Sequence, residues 1–200
     1  MKKIGLLGGT FDPIHLGHLG LAETAIDELE LDMLYIMPAR VQPFKMHKDT
    51  AEPHDRLNMA GLISKENPKL AVSEFEIFDE RVSYTFDTIS MLKEKHKGAK
   101  LVFIMGTDSL MSIDKWYRGE ALLSMCSFAV GLRPGYDKSK ASAKAKWLAD
   151  KYGADITILE NRMLPVSSTE IKEHLKAGKS IANFVGKDVE KYIEEHGLYL

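Results

Sequence analysis

With 200 residues, 44% of them hydrophobic and 28% charged, the chain has the length of one α/β domain and enough apolar side chains for a sizeable core. The 27 Lys and Arg against 29 Asp and Glu leave a net charge of −2, which argues against long nucleic acid as a partner but says nothing about a local cationic pocket. No apolar run approaches the roughly 20 residues of a membrane span, and the single cysteine, Cys126, excludes an intramolecular disulfide and fits a reducing, cytoplasmic setting.

The N-terminal apolar stretch is broken by Gly5 and stops at Leu7, too short for the core of a signal peptide. Ile4 to Leu7 reads as a buried strand ending in a tight turn at Gly8-Gly9. From Leu16 the pattern turns helical, with Leu19, Ala22, Ile26 and Leu29 on one stripe. Met33 to Met37 is a second strand, closed by Pro38, and the strand–helix–strand unit opens a doubly wound parallel α/β sheet. Residues 39–54, with Pro43, Pro53, Arg40, Lys45 and Lys48, read as a mobile surface loop. Then come a helix at Asp55 to Ser64, a strand at Leu70 to Ser73, a helix at Tyr84 to Lys95 and a strand at Leu101 to Met105. Trp116 and Tyr117 begin a loop and short helix, and Phe128 to Leu132 is a strand stopped by Arg133-Pro134-Gly135. Cys126, between a helix end and that strand, reads as a packed thiol. A polar helix at Lys138 to Tyr152 and a strand at Ile156 to Leu159 follow. Two helices, about Thr169 to Ala177 and Lys187 to Glu195, pack on what is expected to be a single domain spanning 1–200.

The segment from Gly8 to His18 reads G-G-T-F-D-P-I-H-L-G-H and lies between the first strand and first helix. In open α/β sheets a ligand binds beyond the carboxyl ends of the strands, so this is where one is expected. Gly8 and Gly9 would let backbone approach a phosphate, and the helix start that follows suits an anion. His15 and His18 are three apart, which on a first helical turn puts both imidazoles on one face, as donors toward charge on a phosphate. The same pair could hold a metal or cap the helix, although no third ligand has an obvious claim. Neither G-x-G-x-x-G nor G-x-x-x-x-G-K-[ST] is present.

These residues resemble the T/H-x-G-H signature of the nucleotidyltransferase superfamily, and the longer form resembles that of the bacterial nicotinate mononucleotide adenylyltransferases. The resemblance implies transfer of AMP from ATP to nicotinate mononucleotide, with His15 and His18 as catalytic residues and Gly8, Gly9, Thr10 and Phe11 beside them at ATP. It implies that the backbone of Tyr84 and Thr85, in Ser83-Tyr84-Thr85-Phe86-Asp87-Thr88, meets the pyridine carboxylate, and that Trp116, in Lys115-Trp116-Tyr117-Arg118, stacks on the ring next to Tyr117. It implies that Gly106 and Asp108 border the nucleotide, and that Ser167, Ser168 and Thr169 hold ATP phosphates at the start of a late helix. Taken without the family, S-Y-T and S-S-T-E are helix starts, Asp108 a cap and Trp116 a core residue.

Three positions depart from the family pattern. Lys172 stands where the signature ends in Arg, which keeps the charge and loses the bidentate fork. Phe44 stands where the loop commonly has His, with His47 nearby, and Val82 precedes S-Y-T in place of a small residue. The mechanism implied is in-line attack on the α-phosphorus of ATP by the 5′-phosphate of nicotinate mononucleotide. His15, His18, Lys45 and Lys172 would offset the gathered negative charge, Thr10 and Lys45 would face the mononucleotide, and Mg²⁺ would come bound through the ATP phosphates. The substrates are thus two small molecules, with no nucleic acid or membrane partner, and the sequence leaves homo-oligomerisation open. Rival readings are a phosphopantetheine adenylyltransferase or cytidylyltransferase, the same enzyme preferring the amide, and a non-catalytic nucleotide sensor. The W-Y and S-Y-T blocks oppose the first pair, and the two histidines oppose the sensor.

Overall fold

The computed structural model describes residues 1–40, 50–65, 67–78, 82–133, 135–160 and 164–199. The expectations placed on Phe44, Lys45, His47 and the middle of the 39–54 loop lie outside the described residues.

Strand side chains alternate between faces, and here the alternation sorts the apolar residues into two cores. The strands are β1 (Lys3–Gly9), β2 (Met33–Pro38), β3 (Leu70–Val72), β4 (Lys100–Gly106), β5 (Ser127–Gly131) and β6 (Asp155–Ile158). They pair in parallel in the order β3-β2-β1-β4-β5-β6, so the order reverses between β1 and β4. Leu7, Val102, Ile104 and Ala129 join one core with helices α1 (Leu16–Glu28) and α2 (Pro53–Ser64). Ile4, Leu6, Phe103, Met105 and Phe128 join the other with α3 (Thr85–Lys95), α4 (Thr107–Ser112), α5 (Gly119–Leu123) and α6 (Lys138–Tyr152). Helices α7 (Ser168–Lys176), α8 (Ala182–Val185) and α9 (Lys187–Glu195) add Ile171, Val185, Val189 and Ile193 to the α1 side. Cys126 packs against the second core, where burial pushes its thiol up to about 12. No helix among the described residues is long and apolar enough to cross a membrane.

Several expected boundaries move. β1 continues through Gly8 and Gly9, which lie beside Met37 and Pro38 of β2, so the glycines close the strand instead of forming the turn. Helix α2 begins at Pro53, with Pro in its first turn as the rigid φ of proline favours, two residues before the expected start. Gly106 caps α4, so Asp108 lies within its first turn and is not the cap. Helices α4 and α8, of 6 and 4 residues, are too short to show a periodic pattern and are absent from the sequence reading. The chain turns at Arg118, whose φ is 52°, and α5 starts only at Gly119. A Cβ at Gly119 would lie 2.4 Å from the Ile113 carbonyl oxygen, so no larger residue fits there.

A buried guanidinium holds the carboxyl ends of β1 and β2 together. Arg56 of α2 is 1% exposed. Its Nη1 donates to the carbonyls of Thr10 at 2.7 Å and Ala39 at 2.6 Å, its Nη2 to Arg40 at 3.2 Å and its Nε to Ala51 at 3.0 Å. Burial pushes its pKa below the ordinary arginine value, and the charge of Asp12 opposes that shift. Removing it orphans several buried acceptors at once. Arg56→Met is expected to cost about 3 kcal/mol of unfolding free energy, read as a lower urea midpoint, and an unchanged midpoint would remove Arg56 from this role.

Candidate active site

A cleft of about 610 Å³ opens where the strand order reverses, beyond the ends of β1 and β4. Gly8 and Gly9 form part of its floor, His18 one side, and Tyr84, Trp116 and Tyr117 another. An added Cβ at Gly106 would meet nothing within 4 Å, so its backbone stands open. Gly9 has a different reason to be glycine: the Phe11 ring packs over it, 3.0 Å from where a Cβ would be. Phe11 holds a positive φ of 52°, a strained conformation for a bulky residue, and is 3% exposed. Its ring meets the edge of His18 at 5.0 Å and 86°.

The two histidines occupy different positions from those expected of a shared first turn. His15 is the extended N-cap of α1, with φ −147° and ψ 169°, and His18 is the third helical residue. Their rings nevertheless stack, 3.7 Å apart and 24° from parallel. The His15 N–H donates to His18 Nδ1 at 3.3 Å, which leaves the proton of that imidazole on Nε2. Gly17 is needed beneath this stack, because a Cβ there would lie 3.0 Å from His15 Nδ1 and 3.1 Å from Val166 of the α7 approach. Burial, and then the charge of Arg133, lower the His15 pKa to about 4. His15 is therefore a neutral ring near pH 7, not a cation that offsets phosphate charge.

Arg133, absent from the sequence reading as a site residue, lines the cleft and ion-pairs with Asp108 at 3.0 Å. The available signal was position alone: Arg133 follows the end of β5, on the same edge as the signature loop. On the opposite wall, Tyr84 caps α3 and its ring lies 4.4 Å from that of Tyr117. The Trp116 indole donates to Ser112 Oγ at 3.3 Å and meets the Phe103 ring at 6.2 Å and 86°. An ion pair between Asp114 and Lys144, at 2.8 Å, ties this segment to α6. Tyr84, Thr85, Trp116 and Tyr117 are thus brought together, with His18, Gly106 and Asp108 across the same space.

Other expected residues face elsewhere. Ser167 caps α7 by accepting from the Glu170 N–H at 3.2 Å, and Ser168 donates to the Pro13 carbonyl at 3.0 Å. Lys172 forms an ion pair with Asp12 and sits over the Tyr199 ring at 4.7 Å. Neither the serines, Thr10, Thr169, His15 nor Lys172 lines the cleft.

The fold and its loop chemistry match a known class. The model of the cytidylyltransferase-like family covers residues 6–174, and the chain belongs to that family of nucleotidyltransferases. Within it the chain groups with the nicotinate-nucleotide adenylyltransferases. It is 36% identical over 199 residues to the nicotinate-nucleotide adenylyltransferase of Bacillus subtilis (strain 168), covering 100% of this chain and 99% of that one. It is 39% identical over 197 residues to a probable nicotinate-nucleotide adenylyltransferase of Exiguobacterium sibiricum, covering 98% of each. In fold it is similar to the nicotinic acid mononucleotide adenylyltransferase of Plasmodium falciparum solved in complex with NaAD, at a TM-score of 0.80 and 20% identity over 100% of this chain and 98% of that one.

The depressed His15 pKa makes a stability prediction. The unfolded chain takes up this proton near pH 6.5 and the folded chain only near pH 4, so the contribution is complete above pH 6.5 and is lost as pH falls toward 4. The full swing is roughly 3 kcal/mol. His15→Asn is expected to flatten the fall in unfolding free energy between pH 7 and pH 4.5 relative to the native chain, and two parallel curves would contradict it.

Proposed function

We propose that this chain joins ATP and nicotinate mononucleotide to give nicotinate adenine dinucleotide and pyrophosphate, in the biosynthesis of NAD. The observation that carries the reading is the pairing, across one cleft at the strand-order reversal, of an imidazole at the signature loop with an aromatic wall and a helix start.

A 5′-phosphate, with a second pKa of about 6, is already an anion at neutral pH. Its oxygen forms the bond to the α-phosphorus, the bond to the β-phosphate oxygen breaks, and that electron pair leaves with pyrophosphate. No strong general base is needed, and the chain's task is to align the two phosphates and offset their charge. His18 supplies an oriented Nε2–H donor and Arg133 a guanidinium, with Lys45 expected to join them from outside the described residues. Gly106 leaves room for the nucleotide, and Asp108 accepts from ribose hydroxyls in exchange for its exposed pairing with Arg133.

The pyridine stacks in the wall made by Trp116, Tyr117 and Tyr84, an arrangement suited to an electron-poor ring. Its carboxylate meets the first-turn N–H groups at Thr85, where the α3 dipole favours an anion. Those donors would be left unpaired by the amide's NH₂. Bound through the ATP phosphates, Mg²⁺ would neutralise charge on the leaving pyrophosphate. Among the described residues no group of three or more His, Cys, Asp or Glu is placed to hold a metal. The cleft carboxylates Asp108 and Glu76 are bonded to Arg133 and Thr88, a donor set that fits an ion held by phosphates and water.

A pyrophosphate-release assay with ATP and Mg²⁺, its product identified by mass, tests the reading. Release is expected with nicotinate mononucleotide and at least about 10²-fold less efficiently with the amide. No release with either would refute the function, and equal release would remove the carboxylate preference alone. His18→Ala is expected to lower kcat by about 10²-fold or more, and a near-normal kcat would take His18 out of the reaction.

A further inference from the structure

One carboxylate gathers residues from three distant parts of the chain. Asp12, in the signature segment three residues before His15, is 7% exposed. Its Oδ1 accepts from the Ala51 N–H at 2.9 Å and from the Tyr199 hydroxyl at 2.8 Å. Its Oδ2 accepts from Lys172 Nζ, and that ammonium lies over the Tyr199 ring. Burial, followed by the charge of Asp12, pushes the Tyr199 phenol above its ordinary range, so it stays a donor. One residue on, the Pro13 carbonyl accepts from Ser168 at the start of α7.

We propose that Asp12, Lys172 and Tyr199 are positioning residues, which together fix the D-P-I-H stretch and so, through the stacked His15, aim His18 at the phosphates. The inference rests on the reading of His18 as the phosphate-facing donor. The path is short and covalent: Asp12, Pro13, Ile14 and His15 are consecutive, Ile14 is 0% exposed, and the His15 N–H sets the His18 ring. Lys172 is held on a carboxylate, under a ring, away from the cleft wall. It therefore differs in role from an arginine that grips ATP. A compact ammonium suits this work, because a carboxylate oxygen and a ring face offer one point of charge contact each and no bidentate acceptor. In this arrangement the residues at 172 and 199 govern turnover and leave ATP binding nearly alone.

The test uses the full chain with substitutions Asp12→Asn, Lys172→Met and Tyr199→Phe, and the pair Asp12→Asn with Lys172→Met. Steady-state kinetics with ATP, Mg²⁺ and nicotinate mononucleotide would show kcat reduced about 10-fold or more in the first two, the scale of a misaimed group, with KM for ATP within about twofold of the native value. The double variant would be no worse than the poorer single one, because the two groups act as a unit. Tyr199→Phe keeps the ring and loses only the hydroxyl, so it reports on the linkage where the charge variants fail to fold. Imidazole ¹⁵N correlation spectra of the free protein read His15 and His18 without turnover, and their signals are expected to move in every variant. A rise of about tenfold or more in KM for ATP with kcat unchanged in Lys172→Met would make the lysine a phosphate contact and overturn the proposal. Additive losses, or unmoved imidazole signals, would overturn it as well. A native chain that releases no pyrophosphate would instead refute the reaction, while the spectra still judge the linkage.

Discussion

An arginine side chain buried to 1% exposure must find acceptors for its N–H groups, and Arg56 finds them in the main chain at the ends of β1 and β2 and at Ala51. Carbonyls at strand ends have no ladder partner beyond the sheet, so they are free to turn toward one charge. The consequence is that the signature loop, the exit of β2 and the approach to α2 converge on a single guanidinium. The nearby Asp12 balances that charge and in turn collects Lys172, Tyr199 and the Ala51 N–H. Arg56 and Asp12 thus hold the site's backbone from below, while the cleft itself stays open above.

Electrostatics inside the cleft follow from unequal burial. His15, packed over Gly17 and under the influence of Arg133, is held neutral, whereas Arg133 and Asp108 lie exposed and exchange partners cheaply. The His15 N–H on His18 Nδ1 directs the Nε2–H of His18, and the exposed cation is Arg133 on the rim. This division suits a reaction in which two anionic groups must first be attracted and then aligned. The aromatic wall on the other side is braced by the Asp114–Lys144 ion pair and by Gly119, which brings the Trp116 segment close to the Ile113 carbonyl.

The strands were legible because each is a short apolar run, and β1, β2, β4 and β5 lie within about two residues of their expected bounds. The long helices were legible from apolar spacing and composition. The Ser167 N-cap confirms the S-S-T-E reading of a helix start, and Asp137 and Gly153 cap α6. Helices α4 and α8 escaped because one turn carries no period. Arg56 escaped because, in α2, it reads as a surface residue: nothing local distinguishes an arginine that faces solvent from one that faces four carbonyls. Arg133 escaped in the same way, since only the parallel order of β4 and β5 brings its charge within electrostatic reach of His15.

By itself the sequence determined the class of fold and the strand-end loop where a site is expected, because hydrophobic periodicity and the contiguous G-G-T-F-D-P-I-H-L-G-H segment are local properties of the chain, while the chemistry came from the resemblance of that segment to a known family. Tertiary structure decided which charges face the cleft and which hold the backbone. Lys172 carries the same charge wherever it points, and its pairing with Asp12 depends on bringing residues 160 positions apart within contact. His15 likewise has an ordinary imidazole, and only its burial beside Arg133 makes it neutral. Charge, unlike periodicity, takes its meaning from solvent access and from partners distant in sequence, and these exist only once the chain has folded.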